Sequence, residues 1–231
     1  MKRALKQRGR PLKQEKLNLP RPELKDKTFW EKRFWAEGFK FVAGLDEAGR
    51  GAWAGPVVAA AVILHPGTDI PGVDDSKKIL PQKREELFDV ICRESAGFGI
   101  GVVASAVIDE VNIQQATFLA MGEALKKLSV KASFLLVDGN RGIGVAIPQQ
   151  VLVKGDGRSA SIGAASILAK VTRDRLMTEM ESAYPSFRFS KHKGYGTKEH
   201  LEELRRHGPV AIHRMSFEPI RSLAAGPTDL L

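Results

Sequence analysis

A chain of 231 residues, 43% hydrophobic and 27% charged, has room for one sizeable domain with a small satellite, and its makeup excludes wholesale disorder. The single cysteine, Cys92, excludes an internal disulfide scaffold and a cysteine zinc cage; it points to a reducing compartment and a cytoplasmic protein. No run nears the roughly 18 apolar residues a membrane helix needs, and the basic start from Met1 to Lys16 leads into no apolar signal core.

The net charge of +9 is concentrated at one end. Residues 1–40 hold 13 Lys/Arg against 5 Asp/Glu, which leaves the rest of the chain nearly neutral. Residues 1–27 combine this charge with prolines and no apolar periodicity. They read as an arm outside the core, either a solvated tail or an aid to phosphate binding.

From Thr28 the pattern changes. Phe29, Trp30, Phe34 and Trp35 fall at helical spacing and predict a short helix laid on the body, its aromatics packed in a core. FKFVAGLDE (39–47) and PVVAAAVIL (56–64) predict two strands flanking a glycine-rich turn. Residues 81–95 open with proline and predict a helix. GFGIGVVASAVI (97–108) reads as one long strand, followed by a helix over 109–128 with Asp109 as its N-cap. SFLLVDGN (133–140) and QQVLVKGDG (149–157) predict two more strands, and an Ala-rich helix capped by Ser159 or Ser161 runs to Tyr184-Pro185. The glycine-spaced GNRGIG (139–144) opens no helix and carries no dinucleotide fingerprint. Alternating strands and helices define an α/β fold, a mixed sheet flanked by helices, with residues 185–231 as a small helical part beside a body at 28–184.

Three of the predicted strands end in acids: Asp46 and Glu47, Asp138, and Asp156. Each alone is an ordinary turn residue. Gathered on one sheet edge, four like charges would repel unless a cation joined them. Hard oxygen donors without a partnering His or Cys suit Mg²⁺ or Mn²⁺, and two such ions assist in-line phosphoryl displacement. Neighbouring strand residues point to opposite faces, so Asp46 and Glu47 share a site only if the strand ends or kinks there; Ala48-Gly49-Arg50-Gly51 suits such a kink. His192, His200, His207 and His213 lack metal-ligand spacing.

GLDEAGRGAWAGPVVAAAVIL (44–64), DDSKKIL (74–80), LLVDGN (135–140), KGDGRSASIGAASILAKVTRDRLM (154–177), HKGYGT (192–197) and HRMSF (213–217) closely resemble, in order, the motifs of prokaryotic type 2 ribonuclease H, the ribonuclease HII family. The resemblance implies a ribonuclease H-like fold and endonucleolytic cleavage of RNA in RNA/DNA hybrids. It extends to 5′ incision at single ribonucleotides embedded in duplex DNA, leaving a 3′-hydroxyl and a 5′-phosphate. By motif position it makes Asp46, Glu47, Asp138 and Asp156 the catalytic, metal-binding acids for two Mg²⁺ or Mn²⁺ ions. Gly49, Arg50 and Gly51 become the loop that senses the 2′-hydroxyl, and Tyr195 the ring packed on the following deoxyribose. Ser76, Lys77, Lys170 and Arg173 are expected phosphate contacts.

Two departures from the family pattern stand out. Ala52-Trp53 replaces the usual Pro-Leu, which could put an aromatic near the substrate or alter loop rigidity, and Gly157-Arg158 stands where small residues or lysine are more usual. The alternatives are a type 3 ribonuclease H acting on longer hybrids, and a non-catalytic hybrid-binding module. The first expects an added N-terminal domain and no Gly-Arg-Gly; the second expects lost acids. The expected partners are RNA/DNA hybrid and ribonucleotide-containing DNA, bound by a monomer with no membrane association.

Overall fold

The eight residues Val57–Leu64 form β2, and every one of them is buried, because β2 sits inside a sheet covered on both faces. The computed structural model describes residues 26–68, 70–73, 76 and 79–225. The expected arm therefore lies, apart from Asp26 and Lys27, outside the described residues. Five strands run in the order β3-β2-β1-β4-β5: β1 is Val42–Ala48, β3 Ser95–Val103, β4 Phe134–Asp138 and β5 Gln149–Leu152. The β3-β2-β1 half is antiparallel; β1, β4 and β5 are parallel.

The pleat of β2 splits its side chains between two layers. Val57, Ala59, Ala61 and Ile63 join a core beneath α3 (Ser105–Val111) and α4 (Ile113–Lys126), while Val58, Ala60, Val62 and Leu64 join one beneath α2 (Pro81–Glu94) and α5 (Ala160–Ala183). Small residues allow close contact. A Cβ on Gly99 or Gly101 of β3 would lie 2.1 or 2.0 Å from carbonyl oxygens of α4. The aromatic helix expected after Thr28 is α1, Phe29–Ala36; it buries Trp30 and Phe34, with Phe34 stacked on Phe134 at 3.8 Å.

Three predicted elements need correction. The apolar run 97–108 is not one strand: β3 ends at Val103, and Ser105 opens α3. The helix expected over 109–128 is likewise broken at Asn112 (φ 71°), whose side chain caps α4 by accepting from Gln114 and Gln115 N–H. Asp109 caps nothing; it accepts from the backbones of Met215 and Ser216 and tethers the C-terminal segment. The strand expected over 149–157 stops at Leu152, and a left-handed Lys154 (φ 55°) turns the chain into a 3₁₀ turn, Gly155–Gly157. Ser159, not Ser161, caps α5.

The last segment forms α6 (Phe189–His192), α7 (Lys198–His207) and α8 (Ile220–Ala224). Phe187, Phe189, Leu204 and Ile220 pack there with Ala54 and with Met177 from the far half of α5.

Candidate active site

Parallel pairing of β1 with β4 sets Leu45 opposite Val137, so Asp46 and Asp138 follow side by side at the carboxyl ends of neighbouring strands. On the next strand, β5, Leu152 pairs with Asp138, and the chain turns at once into the 3₁₀ turn that carries Asp156. All four acids line one cleft of about 440 Å³ together with Gly49, Arg50, Gly51, Ser76, Ser166, Lys170 and Tyr195.

β1 continues through Ala48, paired with Val58, so the chain does not kink before Glu47. Asp46 and Glu47 keep opposite faces at the strand end. Asp46 is buried beside Ser166 of α5, whereas Glu47 pairs with Arg50 at 3.2 Å. Asp138 accepts the Gly155 N–H at 2.6 Å and Asp156 the Gly157 N–H at 2.9 Å, so each carboxylate is oriented by a backbone amide. Among the described residues no three such side chains form a group able to hold a metal unaided. The acids border a cleft rather than a closed cage.

Burial, then the charges of Glu47 and Asp138, push the Asp46 carboxyl well above its ordinary value; bonds from Ser166 and from the Glu47 N–H oppose this. Crowded carboxylates of this kind match a hard divalent cation, which binds through one or two carboxylates plus substrate phosphate rather than in an all-protein cage.

The remaining expected residues divide. Arg50 and Gly51 are exposed at the cleft edge, and Gly49 has φ 95° with Arg173 directly behind it. Tyr195 is half-buried, with the Lys170 ammonium 5.5 Å and the Arg173 guanidinium 5.0 Å from its ring. Lys170 also pairs with Asp174 at 2.7 Å. Ser76 is buried and shares a 2.9 Å hydrogen bond with Ser166. Lys77 lies outside the described residues.

Arg173 is not a phosphate contact. It is fully buried and donates to the carbonyls of Pro56, Ala54 and Lys193, which leaves no donor face open to a substrate. Trp53 is also turned inward: it lies under Gly196, where an added Cβ would meet its ring at 2.3 Å, and against His200 at 5.5 Å. The departure at Ala52-Trp53 therefore fills the gap between the loop and the C-terminal helices. Sequence reasoning passed over Ser166 and Arg214, although both lie inside quoted motifs; no spacing rule distinguishes a serine beside an acid from a helix-surface serine.

A five-stranded mixed sheet with helices on both faces and acids gathered at its parallel strand ends defines a ribonuclease H-like hydrolase. The family model described as Ribonuclease HII matches residues 43–220. Relatives named Ribonuclease HII include one from Caldicellulosiruptor bescii, 51% identical over 81% of this chain and 91% of its own length. Another, from Thermotoga maritima, is 58% identical over 80% of this chain and 76% of its own. Among solved structures, ribonuclease H2 from Pyrococcus horikoshii OT3 superposes with a TM-score of 0.67 at 26% identity, over 80% of this chain and 97% of that one. Bst-RNase HIII solved with Mn²⁺ shares the fold at a TM-score of 0.60 and 15% identity, over 80% of this chain and 69% of that one.

The chain belongs to the ribonuclease HII family. It is a divalent-metal-dependent ribonuclease H acting on RNA/DNA hybrids, and no described helix is long and apolar enough to cross a membrane.

Proposed function

We propose that this enzyme incises duplex DNA on the 5′ side of an embedded ribonucleotide, leaving a 3′-hydroxyl and a 5′-phosphate, and so serves ribonucleotide removal during replication and repair. The observation that carries the reading is a single cleft in which Asp46, Glu47, Asp138 and Asp156 adjoin the Gly49-Arg50-Gly51 loop and Tyr195.

The four acids are the proposed ligands for Mg²⁺ or Mn²⁺. When bound, two such ions supply activation of the attacking water and stabilisation of the leaving oxygen. The chain's own groups orient the substrate. The Gly49–Gly51 loop offers backbone close enough to read a 2′-hydroxyl, the chemical mark of a ribonucleotide. Tyr195 presents a ring face on which a deoxyribose packs and a ribose fits less well. Lys170, beside Tyr195, adds positive charge where a phosphate would pass. Catalysis is assigned to residues 28–184, with residues 185–231 as a helical part that adds substrate contact through Tyr195, in a cytoplasmic monomer.

The test is an end-labelled DNA duplex with one ribonucleotide, incubated with enzyme and Mg²⁺ or Mn²⁺. A product one phosphodiester 5′ of the ribonucleotide, extendable by a polymerase at its 3′ end, supports the reading. Cleavage of uniform hybrid alone would replace it with a type 3-like specificity.

A further inference from the structure

We propose that the adjacent residues His213 and Arg214 are the positioning residues for junction selectivity: Arg214 sets the Gly49-Arg50-Gly51 loop, while His213, acting through His200, sets the Tyr195 turn. The inference rests on the reading that this loop and Tyr195 face the RNA-to-DNA junction.

Arg214 is fully buried, and among the described residues its side chain hydrogen-bonds no carboxylate, Asp109 acting on it only through space. Its guanidinium donates instead to carbonyls of one loop: Gly49 at 2.7 Å, Arg50 at 2.9 Å and Gly55 at 3.0 and 3.1 Å. In a trans peptide the N–H lies opposite the C=O. Holding the Gly49 and Arg50 carbonyls against a buried cation therefore turns the Arg50 and Gly51 N–H groups outward, to the side on which both residues are exposed. Burial and the neighbouring Arg173 lower the Arg214 pKa to about 9, so the clamp is charged at neutral pH.

One residue earlier, His213 starts a second chain of bonds. The Val210 carbonyl already takes the His213 backbone N–H at 2.8 Å, while the Val210 N–H reaches His213 Nδ1 at 2.8 Å. The Val210 carbonyl also lies 3.2 Å from Nδ1, but the Val210 N–H is the shorter contact and can only donate; Nδ1 therefore accepts, which puts the ring proton on Nε2, 3.0 Å from His200 Nε2. His200 must accept there, which puts its own proton on Nδ1, where it donates to the Tyr195 carbonyl at 3.0 Å. Burial holds both rings near a pKa of about 4, and neutrality is what this relay requires. The His192 ring stacks on His200 at 4.2 Å and accepts the Gly194 N–H, which fixes the same turn from the other side.

The two supports are tied to each other. Arg214 N–H donates to the Trp53 carbonyl, His213 forms a β-bridge with Ala54, and Trp53 and Ala54 donate to the Gly194 carbonyl. One dipeptide thus spaces a loop at residues 49–51 from a turn at 194–196. A shift of an ångström between them would misplace a junction without touching an acid.

The test measures kcat/KM for wild type, Arg214→Lys and His213→Gln on a duplex with one ribonucleotide and on a uniform RNA/DNA hybrid. Each variant is expected to lose about tenfold or more of the preference for the lone ribonucleotide, beyond any loss common to both substrates. Equal losses on both substrates, with the preference intact, would overturn the inference and leave the reading of the loop and Tyr195 standing. A wild type without preference would overturn both. Nitrogen-15 NMR of the wild-type histidines needs no variant to fold: His213 is expected as the Nε2–H tautomer and His200 as Nδ1–H at pH 7, and the reverse assignment, or an imidazolium, would overturn the relay.

Discussion

The Glu31 carboxylate on α1 accepts both the backbone N–H, at 2.9 Å, and the hydroxyl, at 2.6 Å, of Ser161 in the first turn of α5. The Ser159 hydroxyl joins the same oxygen at 2.6 Å, and all three residues are fully buried. An acid at a helix N-terminus meets unpaired amides and the positive end of the helix dipole. This end of α5 follows the turn that carries Asp156, so α1 steadies one wall of the cleft. Glu31→Ala leaves buried donors unpaired and is expected to cost about 2–4 kcal/mol in urea unfolding. A cost below about 0.5 kcal/mol would show that the contact is dispensable.

Gly44 sits where β1 meets α5. A Cβ there would lie 2.2 Å from the Ser161 carbonyl carbon and 2.3 Å from the Ile162 nitrogen, backbone atoms that no rotamer change can move. Gly44→Ala is expected to destabilise the fold by about 3 kcal/mol or more. Gly51, where an added Cβ meets nothing within 4 Å, serves as the control: Gly51→Ala should change the unfolding free energy by less than about 0.5 kcal/mol. Comparable losses at both positions would contradict the close approach of α5 to the sheet.

The crowding around Asp46 has a stability consequence. An acid whose native pKa lies above its unfolded value holds its proton better when folded, so ionising it costs stability as pH rises through that range. Asp46→Asn is therefore expected to raise the thermal midpoint at neutral pH in EDTA. Adding Mg²⁺ or Mn²⁺ should raise the wild-type midpoint more than that of the variant. A lower midpoint for the variant in EDTA would show that the acids do not repel one another.

His200 and His213 lie at about 4 against an ordinary 6.5. Neutral when folded, they take up protons on unfolding at any pH between these values, so stability falls as pH drops from about 6.5 to about 4 and levels off below. The full shift corresponds to about 3 kcal/mol per ring. His192 is lowered as well, with Glu203, Glu199 and Glu181 acting against its burial. Urea midpoints across this range should slope down for wild type and less steeply for His213→Gln; identical slopes would contradict the burial of the cluster.

Much of the site was legible because its signals are local. An apolar run ending in an acid, repeated at Asp46, Asp138 and Asp156, survives as a pattern whatever the loops between them do. The continuous VVAAAVIL likewise announced a strand covered on both faces. Two boundaries were not legible: the apolar run leaves β3 and enters α3 without a glycine or proline, and the break between α3 and α4 is a left-handed Asn112 that shows only in the backbone. Arg173 and Arg214 misled or escaped for the opposite reason. Most of their partners are carbonyls more than 100 residues away, and a carbonyl leaves no mark in sequence. Glu31 is the same case, a lone acid in an aromatic helix whose partners appear only once α5 is in place.

The most direct measurement compares wild type with Asp138→Asn on a DNA duplex carrying one ribonucleotide, recording both single-turnover cleavage and binding affinity. If the four acids act together at the strand ends, cleavage falls by at least about a thousandfold while affinity changes by less than about threefold, since the loop, Tyr195 and the basic side chains are untouched. Cleavage that persists in the variant within about tenfold of wild type would contradict the account at its centre and move the chemistry out of this cleft.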